Sequence, residues 1–320
     1  MRTKSILRYI FKRLLIAIPV LIGITFLDFL IMNLAGNPLA MLMGPKVSQG
    51  AVEARALELG LDQPLLVRYG VWLGQVLHGN LGYSIKSFEP VADMIRQQLG
   101  PTLMLMGTSL ILSLLIAIPA GIYSAVKQYS VGDYIIVGFS FLSISVPSFF
   151  LALVFIYLFS SQLAWLPSSG MYTLGGDRGF ADVVRHMVMP VLVMTASLVG
   201  NNIRYIRSGM LEILQANYLR TAKAKGIGQT KVIGKHAFRN ALITIVTVIG
   251  MQIPMLFGGS IIIEQVFAWP GLGLMTMSAI LARDYPVIMG TALLAAVVVQ
   301  LANLVTDIIY VLIDPTISLE

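Results

Sequence analysis

The sequence predicts an all-α, polytopic membrane protein with six transmembrane helices and a small external layer between the first and second. Three observations carry that prediction. Hydrophobic residues make up 57% of the 320 and charged residues only 12%, far more apolar than a soluble domain of this size. Six apolar runs are long enough to cross a bilayer core at about 1.5 Å rise per residue. The 22 lysines and arginines gather at the ends of those runs, and a helical reading with both termini inside places fourteen on the inner side and eight on the outer. The net charge of +7 is that of 22 basic against 15 acidic residues, and the placing of the cations at the ends of apolar runs suits orientation in an anionic-lipid bilayer, so nucleic acid has no place in the reading.

Residues 1–33 form an N-terminal tail and the first span. Arg2, Lys4, Arg8, Lys12 and Arg13 precede an apolar run from Leu14 to Ala35, too long for a cleaved signal and long enough for an uncleaved helix. Asp28 within it must face protein or water, because a carboxylate in hydrocarbon is costly. Residues 34–99 read as the external layer, with turn signals at Gly36-Asn37-Pro38, Gly44-Pro45, Gly79-Asn80 and Glu89-Pro90. Short helices are expected over Glu53–Leu59 and Leu65–Leu77.

The permease core is expected over 100–313, followed by a tail at 314–320. Its spans are read as Leu103–Val126, Tyr134–Phe159, Met187–Arg204, Ala241–Ile263 and Val287–Ile313. A tight inner loop with Lys127 and Asp133 joins the first two, and Pro119 and Pro147 are expected to kink or loosen them. Trp165 marks an interface, Pro190 falls in the first turn of the next span, and Asn201 and Asn202 near its inner end are expected to bond across helices. Pro254 and Gly258-Gly259 are expected breaks, Glu264 an interface carboxylate and Pro270-Gly271 a turn. In the last span Gln300, Asn303 and Asp307 share one side, which must face a bundle.

The most cationic stretch is 204–240, where eight cations stand against the single acid Glu212. Leu211, Leu214, Tyr218 and Ala222 recur at helical spacing and predict an apolar stripe, with Arg220 and Lys223 on the other face. Lys223 and Lys225 suit a helix C-terminus, Gly226 ends the helix, and Gln229-Thr230 offers a cap for a second helix through Val232, Ile233, Ala237, Phe238 and Ala241. A solvated loop that only fixes topology is the plain alternative.

Within this loop, Tyr218-Leu219-Arg220-Thr221-Ala222-Lys223-Ala224-Lys225-Gly226 resembles the cytoplasmic loop of type I ABC importer permeases in their dipeptide, oligopeptide and nickel branch. Arg220-Thr221 stands where the generic motif has Glu-Ala. Three further segments resemble the same branch: Leu59–Leu65 with Gly79-Asn80-Leu81-Gly82, Glu264–Gly273 with Arg283–Val287, and Asp314-Pro315. The resemblance implies half of a translocation pathway for peptides or a nickel chelate in a bacterial or archaeal inner membrane. It further implies a coupling helix at 218–226, a second homologous permease, two ATP-binding subunits and an extracytoplasmic solute-binding protein.

No Gly-x-x-x-x-Gly-Lys-Ser/Thr phosphate loop and no nucleophile–base pair occur, so the chain is expected to be no enzyme, with ATP and magnesium held by partner subunits. There is no cysteine, and His78, His186 and His236 are widely separated, so no metal site or other cofactor is expected. The alternative from another class is a stand-alone secondary transporter, in which Asp28 and Asp307 would carry protons.

Overall fold

The computed structural model describes residues 2–34, 50, 62–176, 178–226, 228, 231, 234, 237–258 and 260–313. The described chain is helical, apart from turns and a bridge between Tyr83 and Pro90. In order, its helices are α1 (Arg2–Leu34), α2 (Leu65–Leu77), α3 (Val91–Val126), α4 (Val131–Ser145), α5 (Ser148–Phe155), α6 (Phe180–Leu214), α7 (Asn217–Ala224), α8 (Phe238–Gly258), α9 (Ile261–Val266), α10 (Leu272–Leu281) and α11 (Tyr285–Ile313). A π-helical turn, Ile156–Gln162, continues α5. Five of these helices are long and apolar enough to cross a membrane, and α4 with α5 and its π-helical continuation makes a sixth where the bent pair is counted as one span.

Most spans outrun their hydropathy. The second apolar run begins at Leu103 but α3 starts at Val91, and the fourth covers Met187–Arg204 but α6 runs from Phe180 to Leu214. The extensions gain their stability from packing: Val91 and Ile95 sit in a cluster with Leu272, Ala279, Val287 and Ile288, while Val183 joins a larger one around Trp269. Pro190 is therefore buried inside α6 rather than in its first turn, a position hydropathy alone could not exclude.

The third span breaks where a proline predicts it. Val146 is held extended (φ −84°, ψ 120°), because the ring of Pro147 disfavours helical backbone in the residue before it. α4 and α5 consequently meet at 94°. Pro119 and Pro254, by contrast, stay inside α3 and α8. α8 ends at Gly258, and Ser260 caps α9 by accepting from the Ile263 N–H.

α3 and α6 form the centre, packed along their length, with α4, α8 and α11 around them. Small residues set these crossings. A Cβ on Gly121 would lie 2.9 Å from Ile206, and one on Gly200 would lie 2.6 Å from the Ser140 carbonyl oxygen. Buried polar bonds fix the register: Asn202 donates to Ser113 Oγ (2.8 Å) and accepts from Gln252 Nε2 (2.5 Å), joining α3, α6 and α8. α1 packs at the edge of the bundle against α11, with little of its span buried.

Candidate functional site at the α6–α8 turn

The basic loop resolves into a short helix held on the end of the bundle. Helix α6 stops at Leu214, with Gln215 as its cap, and α7 begins at Asn217, so the stripe expected from Leu211 to Ala222 belongs to two helices rather than one. The side chain anchoring α7 is Leu219, fully buried among Met210, Ala125, Ala237 and Ala241. Tyr218, expected on the apolar stripe, is instead 45% exposed. The break between the helices rotates α7 by an amount that a single helical wheel cannot register. Tyr218 still ties the loop, since its hydroxyl accepts from Asn240 Nδ2 at 2.9 Å across to α8.

The far face of α7 is open. Asn217, Thr221, Ala224 and Lys225 are exposed, and Thr221 Oγ1 donates to the Asn217 carbonyl. The Lys225 N–H bonds the Thr221 carbonyl, and Gly226 follows at φ +77°, the left-handed conformation that ends a helix at little cost only without a Cβ. Arg220, Ala222 and Lys223 lie on this helix, and their side chains fall outside the described residues, as do the expected cap at Gln229-Thr230 and the helix Glu53–Leu59.

Two loop cations are not loop residues. Arg204 and Arg207 lie on α6, and Arg207 makes a forked pair with Asp133, Nε to Oδ1 and Nη2 to Oδ2 both at 3.1 Å. Asp133 also accepts from Ser124 Oγ and from the Tyr129 N–H (2.9 Å), and Arg207 Nε reaches Ser124 Oγ at 2.8 Å. Rather than lying in the tight loop, Asp133 is in the first turn of α4 and 3% exposed. This cluster ties α3, α4 and α6 directly beside the seat of Leu219, since Ala125 borders both. The sequence offered a signal for it: Ser130 and Asp133 stand three apart at a helix start, and Ser130 Oγ accepts from the Asp133 N–H.

The remaining candidates serve packing in different ways. Glu264, expected at an interface, is fully buried; it accepts from Thr102 Oγ1 (3.0 Å) and the Leu274 N–H (2.8 Å). Burial pushes its carboxyl above the ordinary value, while those bonds act the other way. Thr102 accepts in turn from the Leu272 N–H, and Trp269 Nε1 donates to the Pro101 carbonyl, so α3, α9 and α10 close around one carboxylate. Gly271 is required there, because a Cβ would run into the Glu264 carboxyl group. Asp307 receives Arg13 Nη2 at 2.6 Å and the Tyr9 hydroxyl at 2.7 Å, which pins α1 to α11.

The expected polar stripe does not act as a unit: Gln300 is half-buried and Asn303 is exposed on the single chain. Nor does Asn201 bond across helices, since its Oδ1 accepts from Arg204 one turn along. Its neighbour Asn202 does. Asp28 is half-buried on α1. Among the described residues no group of histidines or carboxylates could hold a metal ion.

Residues 117–319 match the binding-protein-dependent transport system inner membrane component, and residues 6–106 match the N-terminal part of such membrane components. The chain belongs to that family. Among its relatives, the oligopeptide transport system permease protein AppB of Bacillus subtilis is 42% identical, covering 97% of this chain and 99% of its own length. A putative peptide permease of Brucella ovis is 43% identical over 98% and 99%, and the glutathione transport system permease protein GsiC of Escherichia coli O6:H1 is 38% identical over 97% and 99%. In fold, a chain of the inward-facing MetNI methionine ABC transporter matches with a TM-score of 0.52 at 18% identity, over 69% of this chain and 96% of that one. This permease is thus a multi-pass membrane subunit of an ABC importer, and the matches do not favour the stand-alone secondary transporter. Nothing among them points specifically to nickel.

Proposed function

We propose that this permease forms half of a pathway for short peptides, and that α7 is where it receives the force of ATP hydrolysis from separate subunits. The relatives named for oligopeptide, peptide and glutathione transport support the cargo class. One observation carries the coupling role: α7 is anchored to the bundle by the fully buried Leu219 yet leaves Thr221, Ala224 and Lys225 exposed. A helix seated so on one side transmits a push applied to the other. A loop that only fixed topology would need charge but no buried anchor. In this reading α7 faces the cytoplasm, both termini lie on that side, and a second related permease, two ATP-binding subunits and a solute-binding protein complete the transporter.

The push has a route. The α7 seat on Met210 and Ala125 adjoins the Arg207–Asp133–Ser124 cluster, which reaches α4. Displacement of α7 therefore moves α3, α4 and α6 together, the helices that frame the broken third span. The peptide can shift the balance between inward- and outward-open states only through differential affinity for them.

The test uses Ala224→Glu, which places charge on the outer face of α7, and Leu219→Ala, which loosens its anchor. Ala224→Glu is expected to leave the permease inserted but to lower the retained ATP-binding subunit. Leu219→Ala is expected to keep the subunits while separating hydrolysis from peptide uptake in vesicles. Normal stoichiometry and coupled uptake in both variants would reduce α7 to a topology anchor. Sidedness is checked separately with the thiol-free background: an impermeant maleimide applied to intact cells is expected to label Gln63→Cys and spare Gln215→Cys.

A further inference from the structure

We infer that α2 is a membrane-interface helix, lying along the bilayer surface with its open edge among lipid acyl chains. Although α2 lies between the first two spans, it packs against the side of the first. Tyr69, its most buried residue, sets its ring edge-on to Phe26 and Phe29, with centroids 5.2 and 5.6 Å away. Its hydroxyl lies 2.9 Å from Thr25 Oγ1 and donates to the Ile22 carbonyl at 3.1 Å. Thr25 lies nine residues before the end of α1 at Leu34, or about 14 Å down the helix axis at the usual rise. The tip of Tyr69 thus reaches well below the end of the span, and α2 cannot stand clear of the membrane in a separate aqueous domain.

Arg68 gives the level of the helix. Its Nη1 donates to Asn33 Oδ1 at 2.8 Å, at the end of α1, and its guanidinium lies over the Phe29 ring. The end of the first span therefore holds the only cation of α2, and a cation fixed at that level on an otherwise apolar helix is how an arginine marks a membrane boundary. Val67 and Val71 lie opposite Tyr69 and are exposed, and Leu66, Gly70 and Leu77 extend this exposed apolar surface round one flank, with Gln75 at the other border and no charge. An uncharged apolar face at the boundary depth, beside a helix whose span is itself nearly unburied, fits lipid better than a polar protein partner. The stacking of Trp72 on Tyr69 completes the picture of an amphipathic helix with an aromatic flank.

The inference is independent of the coupling role of α7, and its test reads depth rather than transport. The chain has no cysteine, so Val67→Cys, Val71→Cys, Ile31→Cys and Gln63→Cys each carry one nitroxide in the transporter assembled from cysteine-free partners and reconstituted in vesicles. Oxygen and a water-soluble nickel chelate are compared as relaxants. The labels at 67 and 71 are expected to favour oxygen, as at Ile31 on α1, with a depth of roughly 5–10 Å below the headgroups, while Gln63 favours the chelate. Chelate-dominated relaxation at 67 and 71 would place the face in water and overturn the inference. An immobilised spectrum protected from both relaxants would also overturn it, by placing a protein subunit there.

Discussion

Replacing Arg207 by methionine tests whether the buried cluster beside α7 is held by charge pairing. The variant keeps the length and apolar stem of the side chain and removes both bonds to Asp133 and the one to Ser124. Asp133, 3% exposed, is left with Ser124 Oγ and the Tyr129 N–H against an uncompensated buried charge, a situation that costs about 3–5 kcal/mol. Asp133→Asn is the milder change. The Arg207 side chain is 24% exposed and can turn its charge to water, so the loss is about 1–3 kcal/mol. The double variant Asp133→Asn/Arg207→Met leaves two neutral groups, and the non-additivity expected for a contacting pair is about 1–3 kcal/mol. Thermal unfolding of the four purified proteins, followed by a fluorescent reporter in one detergent, gives the order. Arg207→Met should be the least stable, below the double variant. Strict additivity would mean that the pair is not coupled and that α3, α4 and α6 are tied by apolar packing alone. Coupled transport should fall in Arg207→Met beyond what its stability accounts for, since the cluster adjoins the seat of Leu219.

Glu264→Ala should destabilise the α9–α10 turn by about 1–3 kcal/mol, because Thr102 and the Leu274 N–H lose their acceptor in a buried site. Burial raises the Glu264 carboxyl above its ordinary 4.5, so its contribution is fully present below that value and declines as pH rises through the folded value; melting the parent and Glu264→Gln across pH 4–8 should show a slope in the parent that the variant lacks. Gly200→Ala sets a Cβ 2.6 Å from the Ser140 carbonyl, backbone that cannot rotate away, and should cost about 1–3 kcal/mol by forcing α4 and α6 apart; Gly107→Ala, whose Cβ meets nothing within 4 Å, is the matched control in the same melting assay. Asp307→Leu should free α1 from α11, and limited proteolysis of α1 should quicken while the rest of the bundle stays protected.

The sequence by itself determined that this is a multi-pass, all-α membrane protein, because apolar length is a local property that hydrocarbon reads directly. It flagged Pro147, where the clash of the proline ring with the preceding residue ends a helix, but it flagged Pro119 and Pro254 as well, and α3 and α8 run on through those. It also found the helix end at Gly226, a matter of local backbone conformation. It also contained the peptide-branch motifs through which the family was recognised. What it could not supply was the pairing of distant polar groups. Nothing local distinguishes Arg207, which reaches Asp133 from a place 74 residues away, from the exposed Arg204 one turn earlier. Glu264 passed for an interface carboxylate because its burial is created by Thr102, Gly271 and Leu274, brought together only when α3, α9 and α10 close. The rotation of α7 that hides Leu219 and exposes Tyr218 comes from a two-residue break, and a helical period continued across the break carries the phase error onward. Which side of a helix faces the bundle is decided by what the other helices leave uncovered, and in this chain that information resides in the fold.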